Sequence, residues 1–385
     1  MFHSGSRVAP LIIAVVIALD ASRSILAAQP ELEHVPAGHA IRGITIGPIE
    51  SSQQPGRGYG TPYTEQLLDE LVRLGANAIA VTPFGRLWSL SSVDIELDFE
   101  LPYEANRLAI RALIRQAHAR GLRVIIVPHL WIETGGWRGE IEHATEEGWR
   151  AYQASYRAFV LEWAKNAEQD GADALSIGVE CKSWSGRFGA YWSDLIKEIR
   201  RRFHGSLTYS ANWDEVEDVL FWDQLDWIGI NAFYPLADKD DAPYAEYERR
   251  ARAVMGKLSE LSALHQMPVV LMEIGYTTRA NAAVQPWLWP DDMKNVVIDE
   301  HEQARALYAI GRAAADEPSV LGFFVWRYYA SLDDVSQEAF WGFSPHGKLA
   351  EPVLRALLHQ SFAADEGPSP WRNPRPIPPL RAPGW

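Results

Sequence analysis

Three stretches of the chain repeat one order of hydrophobic and polar positions. "LDELVRLGANAIAV", "LIRQAHARGLRVIIV" and "WAKNAEQDGADALSIG" each run from an amphipathic helix through a glycine into an apolar strand. The glycines are Gly75, Gly121 and Gly171. A glycine just past a helix end takes the left-handed cap conformation that other residues resist, and a strand that is apolar throughout is one covered on both faces. The same reading places strands near residues 40–47, 77–83, 122–129, 173–180, 206–211, 226–232, 268–274 and 320–326. Helical patterns fall between them at 64–75, 104–120, 148–169, 187–203, 244–264 and 300–316, with a short, weak one at 215–223 and a last one at 350–361. Eight strands with regular crossovers predict an α/β fold, a single (β/α)8 TIM barrel, because open doubly wound sheets usually stop at about five or six strands.

The two ends fall outside this grammar. Arg7 precedes an apolar run from Leu11 to Leu19, with Ala27 and Ala28 as small residues near a cleavage point, so residues 1–28 read as a signal peptide or an N-terminal anchor. The run is too short to span a bilayer comfortably, and a buried N-terminal element is the remaining alternative. The expected location is secreted or periplasmic, or anchored to the outer face of a membrane, with no stable membrane span in the mature chain. Residues 29–39 are a linker, 40–363 the barrel domain, and 364–385 a proline-rich tail, "GPSPWRNPRPIPPLRAPGW" from Gly367, that cannot be helix or central strand.

Composition narrows the partners. The 385 residues are 47% hydrophobic and 22% charged, the balance of a globular protein. The net charge of -14 opposes binding to nucleic acid or anionic lipid, which need clustered Lys and Arg, and is compatible with a neutral polymer such as a polysaccharide. With Cys181 as the single cysteine no intramolecular disulfide forms, and the residue reads as a small buried apolar group rather than a nucleophile. "GRGYG" at 56–60 lacks the spacing of a dinucleotide loop and no P-loop Lys-Ser/Thr follows it. Oligomeric state is not legible.

Barrel enzymes carry their chemistry at the C-terminal ends of the strands. Two carboxylates occupy matching places there: Glu180 ends the fourth strand in "IGVECKSW" and Glu273 the seventh in "LMEIGYTT". Either alone reads equally well as half of a buried ion pair with a barrel arginine. Together, across the barrel mouth, they form the pair that glycoside cleavage uses, at about 5–5.5 Å for retention of configuration and wider for inversion. Trp131, Trp137, Trp184, Trp213, Tyr234 and Trp326 lie at or just after strand ends, where aromatic faces stack on sugar rings. For Trp131 and Trp184, packing between loops is an equal reading. His129 has no second histidine at ligand spacing, and neither H-E-x-x-H, a cysteine cluster nor G-x-S-x-G occurs, so no metal, cofactor or serine triad is expected.

At these motifs the sequence resembles the clan A glycoside hydrolases, most closely family 113, the endo-β-1,4-mannanase family. The resemblance runs from about residue 40 to 360 and is carried by "RGYGTPYTEQLLDELVRLGANAIAV", "PHLWIETGGWRGEI", "IGVE", "SANWDE", "IGINAFYPL" and "EIGYTT". It implies a retaining enzyme with Glu180 as general acid and base and Glu273 as nucleophile, the latter hydrogen-bonded by Tyr234. It also implies that His129, Trp137, Arg138, Asn212, Trp213, Asn231 and Trp326 line the sugar subsites. One departure stands out: much of the clan has Asn before the acid/base, contacting the sugar 2-hydroxyl, where this chain has Val179. Asn212 is the candidate to replace it. The expected substrate is a β-linked polysaccharide or oligosaccharide, β-1,4-mannan first. Another β-glycan (β-glucan, galactan or a bacterial surface polysaccharide) and a non-catalytic carbohydrate-binding barrel remain as alternatives.

Overall fold

The computed structural model describes residues 38–288, 296–333 and 341–373. The expected segment 1–28, residues 29–37 of the expected linker 29–39, and the tail beyond residue 373 lie outside them. Eight parallel strands close into a barrel in the order β1 (Ile41–Gly47), β10 (Val320–Tyr329), β9 (Val269–Ile274), β8 (Ile228–Asn231), β7 (Ser206–Asn212), β6 (Ala174–Val179), β4 (Arg123–Ile126) and β2 (Ala78–Val81). Around it stand helices α1 (Pro62–Leu74), α2 (Tyr103–His118), α3 (Glu146–Asp170), α4 (Lys182–Ser185), α5 (Gly189–Arg200), α6 (Tyr244–His265), α7 (Glu300–Asp316) and α8 (Ala350–His359). Gly75 and Gly171 end α1 and α3 in the left-handed conformation, so the repeated helix–glycine–strand pattern is the repeated αβ turn of the barrel.

Strand alternation builds two cores. Ile79, Val81, Val124, Ile126, Leu175 and Ile177 face the helices in the large cluster. Ala78, Ala80, Ile125, Val270, Met272 and Phe324 belong to a separate cluster that fills the barrel interior.

Two expected elements take another form. The second and third strands do not stop at the barrel rim: after Pro83 and Pro128 each restarts, as β3 (Phe84–Leu87) and β5 (His129–Ile132), which pair with each other as a two-stranded parallel sheet above the mouth. Proline donates no ladder bond, so the barrel pairing breaks there and a new one begins. The expected helix at 215–223 is a run of turns, followed by a 3-10 turn at Trp222–Gln224. Its local bonds are diverted: the Val216 carbonyl accepts from the Trp222 indole (3.0 Å), and the Glu215 carboxylate turns inward to the Tyr209 hydroxyl.

The bottom of the barrel is sealed by the start of the proline-rich tail, which packs against it through Asp365, Trp371 and Arg372. Arg42 on β1 is fully buried and donates to both Asp365 oxygens (2.9 and 2.7 Å) and to the Leu358 and Gln360 carbonyls. Trp371 meets Trp227 edge-on with ring centres 5.8 Å apart, and Arg372 pairs with Asp226 at 2.9 Å. Removing one partner of a buried pair leaves the other charge uncompensated. Asp365→Ala is therefore expected to destabilise the protein by about 3 kcal/mol, read as a lower urea midpoint; an unchanged midpoint would show that the backbone carbonyls satisfy Arg42 on their own.

Candidate active site

The strand ends at the open mouth bring Glu180 and Glu273 into one cleft of about 450 Å³, lined also by His129, Trp137, Arg138, Asn212, Trp213, Asp214, Trp326 and three aromatic residues from later loops, Phe233, Trp287 and Phe343. Both glutamates are more than nine-tenths buried, at 8% and 7% exposure. Each ends an apolar strand, so its carboxyl emerges from the core into the cleft rather than into bulk water.

Glu180 is held from several sides. Its Oε2 accepts from the Trp137 indole (2.8 Å) and from Arg138 Nη1 (2.9 Å), and its Oε1 from Asn231 Nδ2 (3.0 Å). Arg138 is itself fixed by the Leu130 carbonyl at 3.2 Å. The Trp137 ring folds back over Gly139, where a Cβ would lie 2.4 Å from it. The backbone of Glu180 is also constrained: its φ of 49° is in the left-handed region, which costs a non-glycine residue roughly 1 kcal/mol or more and persists only where the surroundings enforce it. The surroundings here are a buried chain of bonds. The Cys181 N–H donates to the Tyr209 hydroxyl (2.6 Å), which donates to Glu215 Oε1 (2.5 Å). Burial, with Glu180 adding to it, pushes the Glu215 carboxyl up to about 8 against the opposing bond from Tyr209. Burial likewise pushes the Cys181 thiol up to about 12, so it packs and does not react as a thiolate.

Glu273 has a different environment. Burial pushes its carboxyl well above the usual range, and the nearby Glu180 pushes the same way; Arg138, Arg327 and a hydrogen bond from Asn231 oppose them. His129 faces it, Nε2 to Oε1, at 3.5 Å. Burial, reinforced by Arg138, holds His129 well below its ordinary value, and its Nδ1 lies 2.8 Å from the Val127 carbonyl. That bond requires the proton on Nδ1, which leaves Nε2 of the neutral ring as an acceptor for a proton carried by Glu273. Burial and the neighbouring Glu180 thus favour the protonated form of Glu273, and Arg138 opposes them.

The structure gathers at the site the seven residues expected to line the sugar subsites: His129, Trp137, Arg138, Asn212, Trp213 and Trp326 line the cleft, and Asn231 stands between the glutamates. Trp137 and Arg138 contact Glu180 directly. Tyr234 makes no hydrogen bond to Glu273: it lies three residues beyond the end of β8, its ring packs on Trp213 with centres 5.5 Å apart, and Asn231 supplies the bond to the carboxyl. Asn212 gives one amide N–H to Asp214 (2.7 Å), which orients its side chain at the cleft wall. The two open aromatic readings separate: Trp184 is fully buried and stacked on Trp192 with centres 4.4 Å apart, whereas Trp131 is 48% exposed. Sequence reasoning missed Asp214, which sits inside the quoted "SANWDE", and Trp287, which stacks on Trp213 from a distant loop with no strand-end signal. Among the described residues no group of three His, Cys, Asp or Glu side chains is placed to hold a metal ion.

The model of Glycoside Hydrolase Family 113 matches residues 52–348. Among solved structures, the family 113 β-mannanase from Alicyclobacillus acidocaldarius, in complex with ManMIm, superposes with a TM-score of 0.72 at 25% identity, over 86% of this chain and 99% of that one. A second family 113 β-1,4-mannanase gives 0.71 at 23% identity over 83% and 99%. A family 5 mannosidase from Rhizomucor miehei, at 12% identity and a TM-score of 0.54 over 83% and 92%, shares the fold. A search of curated proteins finds no match.

The charge arrangement makes a prediction about stability. A carboxyl whose folded-state proton affinity is raised adds stability that is complete at low pH and is lost as pH rises through its folded value. Glu273→Gln cannot ionise, so it should match the parent at acid pH and melt about 2–4 °C higher at neutral to alkaline pH. Thermal melts across the pH range test this; a gap that does not widen with pH would remove the case for a strained carboxylate at 273.

Proposed function

The chain belongs to glycoside hydrolase family 113, and from that premise we propose that it is a retaining endo-β-1,4-mannanase with Glu180 as acid/base and Glu273 as nucleophile. The observation that carries this reading is the pair of buried glutamates sharing one amide, Asn231, in a cleft walled by aromatic rings. One amide within reach of both carboxyls favours the short spacing of about 5–5.5 Å used for retention over the wider gap that admits a water. The mannan assignment draws on the likeness to the Alicyclobacillus acidocaldarius β-mannanase.

The mechanism requires Glu273 to ionise against the burial that raises its proton affinity. Glu273 must be ionised to attack the anomeric carbon, and Glu180 must carry the proton that goes to the leaving oxygen. Arg138, which opposes the raised proton affinity of Glu273, supports its ionised form, and the leaving oxygen is protonated from the Glu180 carboxyl held by Trp137, Arg138 and Asn231. In the second step Glu180, now a base, takes a proton from water, which displaces Glu273 and releases the sugar. His129 stays neutral throughout and orients Glu273 rather than exchanging charge with it.

Glu180→Ala and Glu273→Ala should each lose about 1,000-fold or more in turnover. Azide and an activated aryl β-mannoside separate the roles. In the Glu180 variant, azide attacks the glycosyl-enzyme and gives the β-azide; in the Glu273 variant it attacks the substrate directly and gives the α-azide. The reverse pattern of products would overturn the assignment. Arg138 holds down the Glu273 proton affinity, so in Arg138→Ala the acid limb of the kcat/KM profile should move to higher pH, because ionisation of Glu273 then needs a higher pH. A limb that stays in place, or moves down, would exclude this coupling.

A further inference from the structure

We propose that the outward face of the small sheet β3–β5 is a distal binding track for uncharged glycan, extending the catalytic cleft by about two steps beyond His129. This inference rests on the glycan reading of the cleft and assigns a new part of the surface to it.

The two strands pair in register, Phe84 with His129 and Arg86 with Trp131, and backbone bonding continues to Glu133 N–Leu87 O (2.8 Å) and Thr134 N–Trp88 O (3.0 Å). Side chains alternate across such a sheet. Gly85, Leu87, Leu130 and Ile132 are buried on its inner face, against the barrel's outer core. Phe84, Arg86 and Trp88 on one strand and His129, Trp131 and Glu133 on the other therefore share the outer face. His129 is the end of this row that stands inside the cleft, stacked on Trp326 with ring centres 6.1 Å apart. Phe84 follows at 5.2 Å from His129, then Trp131 at 6.3 Å from Phe84. Each two-residue step along a strand advances about 7 Å, comparable to the length of a pyranose unit.

The row is built to present flat faces. Trp131 is braced at its edge by Phe84 and by Phe99, whose ring centre is 5.9 Å away, yet is 48% exposed, and Trp88 at the far end is 67% exposed. Two large exposed aromatics in line with a cleft are unlike scattered surface tryptophans, and a braced ring loses little freedom when a ligand stacks on it. Beside them Arg86 lies 3.9 Å from both Glu96 and Glu133, which leaves one carboxylate in excess and disfavours an anionic ligand. The track thus offers hydrogen-bonding partners to the hydroxyls of an uncharged glycan. A glycan continuing out of the cleft past Trp326 and His129 meets this surface next.

The test compares β-1,4-manno-oligosaccharides of increasing length, from the shortest cleaved up to soluble mannan. For Trp131→Ala and for Trp88→Ala, the ratio of kcat/KM on long chains to that on the shortest substrate should fall about 5-fold, mainly through KM. The loss should begin at a shorter chain length for Trp131 than for Trp88. Equal losses at every length would mean a structural role, and no loss at any length would mean an idle surface; either overturns the track. Calorimetric binding of the same oligosaccharides in a Glu273→Gln background gives a readout that does not need turnover. The measurements repeated with cello-oligosaccharides separate the two proposals: a length-dependent effect on glucan with neither binding nor cleavage of mannan would sink the mannan reading and leave the track standing.

Discussion

The structure depends on placing two carboxyl groups in a cleft that has little water to solvate them. Desolvation and mutual repulsion both act against ionising Glu273 beside Glu180. The neighbours answer that one problem. Arg138 supplies a positive charge to Glu180 at 2.9 Å, Trp137 and Asn231 supply N–H donors, and a neutral His129 offers Glu273 an acceptor instead of a second cation. These contacts set opposing influences on Glu273: burial and Glu180 raise its proton affinity, and Arg138, Arg327 and Asn231 lower it.

That cleft can be exposed and strained because the opposite end of the barrel is closed and tightly bonded. Arg42 and Asp365 tie the first strand to the segment after the last helix, and Trp371 covers the base beneath Trp227. At the mouth, by contrast, Glu180 sits in a left-handed backbone conformation held by the Cys181–Tyr209–Glu215 chain of bonds. Stability at one face and chemistry at the other is the division that lets loops above the barrel vary. In this glycoside hydrolase the loops use that freedom to set Trp287 against Trp213 and to raise β3 and β5 beside the cleft.

Much of the fold was legible because it is local. Helices α1 and α3 are written in apolar periodicity closed by Gly75 and Gly171, and the strands that follow them are uniformly apolar. The misread segment at 215–223 has helical composition, but its Glu215 and Trp222 side chains form bonds that no pattern of polarity reports. Pro83 and Pro128 were a visible signal of the second small sheet that the strand count passed over. Trp131 and Trp184 occupy similar places after strand ends, and the sequence has no means to tell the exposed ring from the stacked and buried one.

By itself the sequence determined the eightfold alternation of strand and helix, the position of Glu180 and Glu273 at two strand ends, and the aromatic character of the mouth, because each follows from spacing along the chain. Only the tertiary structure decided which groups touch those glutamates. Arg138 and Trp137 reach Glu180 across 42 and 43 positions of sequence, Asn231 across 51, and Tyr234 turns to Trp213 instead of Glu273. The raised proton affinity of Glu273 is likewise a property of the closed barrel. It depends on burial and on charges brought together from different strands, and neither exists until the strands have closed on one another.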